Sequence, residues 1–570
     1  MLDHELVDMD TYSILIAGAA GQGLKKLSLL LVKVLYSAGY NVFTVEEYMS
    51  RVRGGENHLF VVFSRDRVQS PRQKADIYVP LKAGISPEAY THISGDTLII
   101  GDADYILEYE GQGSKYIPIE LNELSHKYGS VYKNTIIGGV ICGYLGLNLK
   151  VANEQIESIF SKKGNDIVEK NRVAFAEGYE IGMRNRPDKT LLMSERKSID
   201  ASYIMSGTWA VALGALTGGV NIVSFYPMSP STGVAEAIAT YSSELGVVVE
   251  QAEDEIAAID MAIGAWFGGA RALVTTSGGG FALMGESISL SGMAEIPLVI
   301  HLGQRPGPAT GLPTRTMQGD LLHSRYIGHG EFPRILLSPG NIEEACSLTA
   351  EAFNLADMYQ VPVIILTDQY LLDSTYNVSA EVIDSIIESF KVNKKILRNN
   401  STYKRYSLEY PISPRSVPGY GDGVVMCNGN EHNEYGDVTE EVEVVKKMQD
   451  KRMAKLDIIK ENAPVPYIVN GDAKYMLISW GSTYNVITEA LKEFDNVGYM
   501  HFKWLYPFPD GVVKLLEGKN IIVAELNSTG QFSHLLKSET GITANHKILK
   551  YDGRPFYIEE MIEAIRGIVE

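Results

Sequence analysis

Four stretches of this sequence put reactive side chains next to residues that stiffen or open the backbone. In "NIVSFYPMSPSTGVAEAI" an apolar run ends at Tyr226, and Pro227 and Pro230 bracket Ser229. Proline fixes its own φ and pushes the residue before it out of helical space. The spacing therefore predicts a rigid tip with the Ser229 hydroxyl free, and Ser231 or Thr232 capping the helix behind it. A ligand contact and a stiffened cap without a ligand both fit this loop. In "VVVEQAEDEIAAIDMAIGAWFGGA" the acids Glu253, Asp254 and Glu255 open a helix, where they complement its dipole. Glu255 also shares a helical face with Ala258, Ala262 and Ala265. A carboxyl group on that apolar face is expected to be partly desolvated, its pKa raised, and able to share a proton near neutral pH. "RALVTTSGGGFALMGES" reads as a strand, then Gly278, Gly279 and Gly280, then a helix; a flat ring or a phosphate can come close to such a backbone. "PLVIHLGQRPGPATGLPTRTMQGD" offers Arg305 and Thr314 in a loop rich in glycine and proline, and arginine on a stiff loop suits bidentate recognition of a carboxylate. A hydroxyl, a carboxyl group and a guanidinium at strand ends are the parts needed to hold an acidic substrate and move a proton.

A fifth stretch is of another kind. "GAAGQGLKK" lies between a strand and a helix, so Gly21, Gln22 and Gly23 precede a helix N-terminus, a favourable place for phosphate. Glu46 and Glu47 end the next strand, about where a ribose-binding acid lies in a dinucleotide fold. The spacing is Gly-x-x-Gly-x-Gly rather than the usual order, so phosphate binding and a tight structural turn both fit. "RVRGGENH" sets Arg51 and Arg53 beside two glycines, either a second anion contact or a surface loop.

The elements that must position these groups alternate along the chain. "YSILIAG", "LKKLSLLLVKVLYSAG" and "NVFTVEE" read as a βαβ unit. Further strands are expected at "NIVSFY", "GVVVEQ", "RALVTTS", "IPLVIHL" and "VPVIILT", and strand and helix signals resume at "YMLISWGS". A basic, polar linker near residues 183–198 and a polar stretch over residues 403–460 break the pattern. A chain of 570 residues exceeds one core. The fold class is α/β: a domain at 1–190, a second at 198–390, an extended arm at 391–468 and a third domain at 469–570. Residues 45% apolar and 21% charged describe an ordinary globular protein, and a net charge of −19 argues against nucleic-acid or anionic-membrane surfaces. The acidic start lacks signal-peptide character and no apolar run reaches spanning length, so the expected location is the cytoplasm. Cys142, Cys346 and Cys427 stand singly, which excludes a disulfide scaffold, a CxxC zinc site or a four-cysteine iron–sulfur cluster within this chain. No metal site is expected in it.

Taken in order, "YPMSPST", "EDEIAAIDMAIGA", "TTSGGGFALM" and "GQRPGPATGLPT" resemble the alpha subunit of 2-oxoacid:ferredoxin oxidoreductases, and most of all the 2-oxoglutarate type with a gamma domain fused at the N-terminus. "AGAAGQG" and "RVRGG" resemble that gamma domain, and "EHNEYGDVTEE", "AELNSTGQFSHLL" and "YDGRPF" the later regions, so the resemblance covers nearly the whole chain. It implies a gamma-type Rossmann-like domain, a thiamine pyrimidine-binding domain and a transketolase C-terminal-like domain. It places Glu255 as the catalytic glutamate that activates thiamine, with Tyr226, Pro227, Gly278 and Gly279 beside the cofactor. Ser229, Arg305 and Thr314 fall at oxoacid contacts, and Gly21, Gln22, Gly23 and Arg53 at coenzyme A. Ser229 stands where the family usually has threonine, Gly279 where it has proline, and Ala19 where it has glycine. Serine keeps the hydroxyl and loses a methyl.

The chemistry so implied is oxidative decarboxylation of a 2-oxoacid to acyl-CoA and CO2, with electrons passing to ferredoxin, in either direction. A carboxyl group at N1′ of the aminopyrimidine favours the tautomer that removes the C2 proton. "GDG" at Gly421 to Gly423 is not followed by asparagines at the distance a diphosphate-and-magnesium motif needs, and reads as a loop. A beta subunit must then bring Mg2+, the diphosphate grip and [4Fe-4S] clusters, in an (alpha-beta)2 assembly. Arg315 and His323 are candidates for the second cationic contact that 2-oxoglutarate needs. Pyruvate or branched-chain oxoacids are alternative substrates. A non-oxidative thiamine decarboxylase or synthase would explain Glu255, an NAD-dependent dehydrogenase would explain the first loop only, and a non-catalytic scaffold subunit would need neither.

Overall fold

The computed structural model describes residues 11–19, 23–49, 55–84, 86–106, 115–186 and 201–570. It forms two compact units. The first consists of the described residues up to Ile204 with Ser374–Ser379 and Tyr557–Glu560; the second consists of Met205–Asp373, Ala380–Phe556 and Met561–Glu570.

In the first unit an eight-stranded mixed sheet runs in the order Lys115–Ile119, Leu98–Asp102, Ile77–Pro80, Thr11–Gly18, Asn57–Ser64, Asn41–Glu47, Thr375–Ser379 and Ser202–Ser206. Its central strands are nearly continuous apolar runs because both faces are covered: Ile14, Leu15, Ile16, Leu59, Val61 and Val62 are fully buried. Helix Leu24–Ser37 buries Leu24, Leu27, Leu31, Val34 and Leu35 at helical spacing. The expected βαβ unit differs in one respect. Strand Asn57–Ser64 inserts between Thr11–Gly18 and Asn41–Glu47, antiparallel to both. The strands are therefore parallel but not neighbours, and Glu46 and Glu47 lie one strand further from the glycine loop than a dinucleotide fold requires. Behind the sheet, helices Lys133–Leu145 and Asn165–Arg184 meet through glycine; a Cβ at Gly178 would lie 2.0 Å from the Ile136 carbonyl oxygen.

The second unit holds two further sheets. The larger has the order Val248–Gln251, Ile222–Phe225, Ala272–Thr276, Leu298–Gln304, Pro362–Asp368, Ile335–Leu337 and Trp504–Tyr506. All its pairs are parallel except the last. The five strands expected from sequence here are all present, whereas Ile335–Leu337 is too short to signal itself. The smaller sheet runs Tyr467–Val469, Val497–Phe502, Tyr475–Trp480, Asn520–Glu525 and His546–Leu549, antiparallel only at Tyr467–Val469. The α/β class is as expected.

Between the two sheets the chain runs without regular structure from 390 to 441, and here Gly421 to Gly423 form a loop as anticipated: the Gly423 N–H donates to Asn399 Oδ1 at 2.8 Å. The polar stretch then becomes a helix, Val442–Glu461, with no apolar stripe. It buries Lys451, Arg452 and Lys455 along with Met448 and Ile459. The ammonium groups of Lys451 and Lys455 lie 2.7 and 2.6 Å from the two carboxylate oxygens of buried Glu295, and Arg405 donates to the Glu295 carbonyl. Burial favours neutral forms, but the two ammonium groups and Arg405 hold the Glu295 carboxyl well below the usual carboxylate range, while burial lowers Lys455 to about 8.

Candidate active site

Four neighbouring strands carry the sequence-derived residues at their carboxyl ends, where open α/β sheets bind ligands. The Ser229 loop follows Ile222–Phe225, Glu255 follows the edge strand Val248–Gln251, the three glycines follow Ala272–Thr276, and Arg305 follows Leu298–Gln304. Parallel pairing of adjacent strands aligns their ends, with Thr275 opposite Phe225 and Thr276 opposite Leu302.

Among the three acids, only Glu255 is buried, at 6% exposure, while Glu253 and Asp254 are exposed. Asp254 is the N-cap, its carboxylate accepting from the Ala257 N–H at 2.7 Å. Capping by Asp254 frees Glu255 to turn inward over fully buried Ala258 and Ala262. The glycines differ from expectation: all three form the first turn of a helix, Gly278–Leu283, instead of a loop before it. Each then has its own surroundings. A Cβ at Gly280 would lie 2.9 Å from Glu255 Oε1, a Cβ at Gly278 would lie 2.8 Å from Asp320 Oδ2, and at Gly279 nothing lies within 4 Å. Glycine at 280 is thus required for the carboxylate of Glu255 to reach the strand ends.

Arg305 closes the other side. Its Nη1 donates to the Ser229 carbonyl oxygen at 2.7 Å, tying two of the loops together. Burial pushes its pKa down and the Asp320 carboxylate opposes that shift. Ser229, Tyr226 and Pro227 are exposed at the tip. The helix behind, Thr232–Leu245, has no side-chain cap at Ser231; the buried Ser231 hydroxyl donates to the Met228 carbonyl at 2.8 Å and braces the loop instead. Thr314 is the third residue of a turn closed by the Arg315 N–H on the Leu312 carbonyl at 3.1 Å. Arg315 is buried, its side chain packed against Gly553. His323 packs edge-on against Phe281 at 5.4 Å, and desolvation lowers its pKa, which works against a standing cation there. In the first unit, Gly21, Gln22, Arg51 and Arg53 lie outside the described residues. Gly23 has φ 77° and begins helix Leu24–Ser37. Glu47 pairs in register with His58, whose Nε2 lies 2.8 Å from Glu56 Oε1.

Two groups of the site escaped the sequence reading. Asp320 ends the quoted loop "TRTMQGD" and stands at the N-cap of helix Leu321–Tyr326, yet makes no capping hydrogen bond. Its Oδ2 is buried without a partner, and burial raises its pKa to about 6 against the pull of Arg305. Ser277 Oγ is likewise buried and unpartnered. An Asp before a helix reads as a cap, so only the fold could reveal the turn toward Gly278.

Residues 213–451 match the family described as pyruvate flavodoxin/ferredoxin oxidoreductase, thiamine diP-bdg, and residues 13–181 match pyruvate ferredoxin/flavodoxin oxidoreductase. The chain is 33% identical to a 2-oxoacid:ferredoxin oxidoreductase subunit alpha of Sulfolobus sp, covering 98% of this chain and 97% of the other. It is 34% identical to the 2-oxoglutarate synthase subunit KorA of Methanocaldococcus jannaschii, covering 57% of this chain and 88% of that one. Its structure is similar to that of the 2-oxoglutarate:ferredoxin oxidoreductase from Magnetococcus marinus, solved with 2-oxoglutarate, coenzyme A and succinyl-CoA bound: TM-score 0.90, 30% identity, 98% of this chain and 100% of that one. Among the described residues no helix is long and apolar enough to cross a membrane. An identity of 33% sustained over both chains from end to end is shared descent, and this chain belongs to the family of 2-oxoacid:ferredoxin oxidoreductase alpha subunits.

Proposed function

We propose that the second unit forms the aminopyrimidine side of a thiamine diphosphate site and the oxoacid contacts of an enzyme that oxidatively decarboxylates 2-oxoglutarate to its acyl-CoA and CO2. The observation that carries the reading is Glu255, the one buried acid of three, with its carboxylate held against Gly280 at the strand ends. The residues suit the cofactor: Ser277 Oγ is a buried polar atom without a partner, which a bound ligand would satisfy, and the open backbone at Gly279 leaves a ring room to approach.

Bound there, thiamine diphosphate supplies the nucleophilic carbon and electron sink that decarboxylation of a 2-oxoacid needs. The protein's part is to prepare and orient. Glu255 would hold a proton at the aminopyrimidine N1′, and Tyr226, Pro227, Gly278 and Gly279 would lie on the cofactor's ring side. Ser229, Arg305 and Thr314 hold the substrate carboxylate, Arg305 through its planar fork. Coenzyme A is assigned to the first unit through Gly21, Gln22, Gly23 and Arg53. With three isolated cysteines in this chain, the [4Fe-4S] clusters, Mg2+ and the diphosphate grip fall to a beta subunit, with ferredoxin as electron acceptor, in an (alpha-beta)2 assembly in the cytoplasm. The named ligands of the Magnetococcus marinus protein support 2-oxoglutarate as the substrate.

Co-purification with the beta subunit, followed by coenzyme A-dependent reduction of ferredoxin, tests the reading. Turnover is expected with 2-oxoglutarate ahead of pyruvate and 2-oxoisovalerate. Preference for either of the others overturns the substrate, and equal turnover without coenzyme A overturns the reaction type.

A further inference from the structure

The Pro306–Asp320 loop is held far more firmly at its end than at its start. Gln318 is fully buried: its Nε2 donates to the Trp480 carbonyl at 2.8 Å and its Oε1 accepts from the Leu526 N–H at 3.0 Å. The Gly319 carbonyl accepts from Gln531 Nε2 at 2.7 Å, and the Asp320 N–H donates to Gln304 Oε1 at 3.0 Å. These four bonds anchor the backbone of Asp320 while its side chain, free of any capping duty, points a buried and unpartnered Oδ2 at Gly278. An anchored carboxyl group that forgoes the hydrogen bond its position offers is costly unless something in the site uses it.

We propose that Asp320 is a positioning residue for the oxoacid, acting through Arg305: its carboxyl group sets how much of the guanidinium's charge is left for a substrate carboxylate. The inference rests on the reading of Arg305 as an oxoacid contact. The Asp320 N–H is tied to Gln304, the residue before Arg305, so a carboxylate approaching Arg305 approaches Asp320 as well, and two like charges beside one cation disfavour each other. The favoured bound state has Asp320 protonated, so substrate binding draws a proton onto it. Its environment suits that role, since burial has already raised its pKa to about 6. Other charged groups on the surrounding elements are engaged elsewhere or set apart. Arg325 lies against Glu539 and over the Tyr506 ring, His323 packs on Phe281, and Glu255 lies on the far side of the same helix turn, at Gly280. Arg305 pulls the Asp320 pKa down against its burial.

The test is the KM for 2-oxoglutarate of the assembled enzyme between pH 5.5 and 7.5, in wild type, Asp320→Asn, Asp320→Glu and Arg305→Lys. Wild-type KM is expected to rise about tenfold across this range, since each pH unit above the relevant pKa removes up to tenfold of the protonated form. Asp320→Asn should keep a low KM at both ends and lose the rise, and Asp320→Glu should restore part of it. An Asp320→Asn enzyme that retains the wild-type rise overturns the proposal, whether or not its kcat falls. Arg305→Lys separates the two readings: a KM raised at every pH upholds the oxoacid site, whereas an unchanged KM removes that site and the inference with it.

Discussion

Among the buried carboxyl groups of the second unit, those at two places are treated in opposite ways. Glu295 sits between Lys451 and Lys455, with Arg405 at its carbonyl, and its carboxyl is held well below the usual range. At the strand ends, the Glu255 carboxylate and the Thr276 hydroxyl both lie against the open side of Gly280, and for Asp320 the pull of Arg305 does not offset the cost of burial. Desolvation acts on Glu295 and Asp320 alike; between these two, the number and closeness of the cations decide the sign. A carboxyl group meant to hold the helix Val442–Glu461 in place is paired and charged. One meant to meet a ligand is left short of partners, and the surrounding fold carries the cost.

The contrast can be broken from either side, and the largest effect is expected at Glu255. Glu255→Gln should assemble normally but lose on the order of a hundredfold to ten-thousandfold in turnover, the range for removal of a positioned proton-transfer group. The measurement is exchange of the C2 proton of bound cofactor; Glu253→Gln, on an exposed side chain, should exchange at the wild-type rate. Normal exchange in Glu255→Gln would show that this acid was wrongly chosen.

Glu295→Gln should do the reverse. It leaves Lys451 and Lys455 buried and facing one another, a loss of about 3 to 5 kcal/mol in unfolding free energy, while C2 exchange in the surviving folded enzyme stays intact. Because the folded-state pKa of Glu295 is depressed, its stabilisation is present above the ordinary carboxylate range and disappears as pH falls through and below it. The gap between wild type and variant in denaturant titrations should accordingly narrow toward acid pH.

At the opposite edge of the site, Arg305→Lys keeps the charge but loses the planar fork, a cost of about 1.5 to 3 kcal/mol in oxoacid affinity with thiamine binding preserved. Equilibrium titration of both ligands separates these. For stability, Asp320 should mirror Glu295. Its pKa is raised, so folding stability falls as pH climbs from the ordinary aspartate range through about 6. Asp320→Asn should therefore stabilise the protein by about 1 to 3 kcal/mol at neutral pH and have no effect near pH 4; equal stabilisation at both pH values would assign the effect to packing. The smallest effect is expected in the first unit. Gly23 has φ 77° and a Cβ there would lie 2.8 Å from Asn134 Nδ2, so Gly23→Ala should cost about 1 kcal/mol and leave C2 exchange untouched.

Much of this was legible in the residues themselves. Runs of Val, Ile and Leu bounded by glycine and proline mark the parallel strands, because a strand covered on both faces needs apolar residues at every position. The loops "YPMSPST" and "GQRPGPATGLPT" mark the strand ends for a local reason: proline and glycine set backbone angles whatever the rest of the chain does. The helix Val442–Glu461 was hidden because most of its buried side chains are lysine and arginine, and the two lysines find their partner, Glu295, some 150 positions away in the chain. What only the tertiary structure decided is which ends stand side by side. The strand order, which puts Asn57–Ser64 between two strands expected to be neighbours and lines up four others beside one another, is set by nonlocal pairing and packing that no window of sequence contains. That same nonlocal packing turned Asp320 from a helix cap into a site carboxyl group, since its role depends on Gly278 and Arg305 reaching it from other strands.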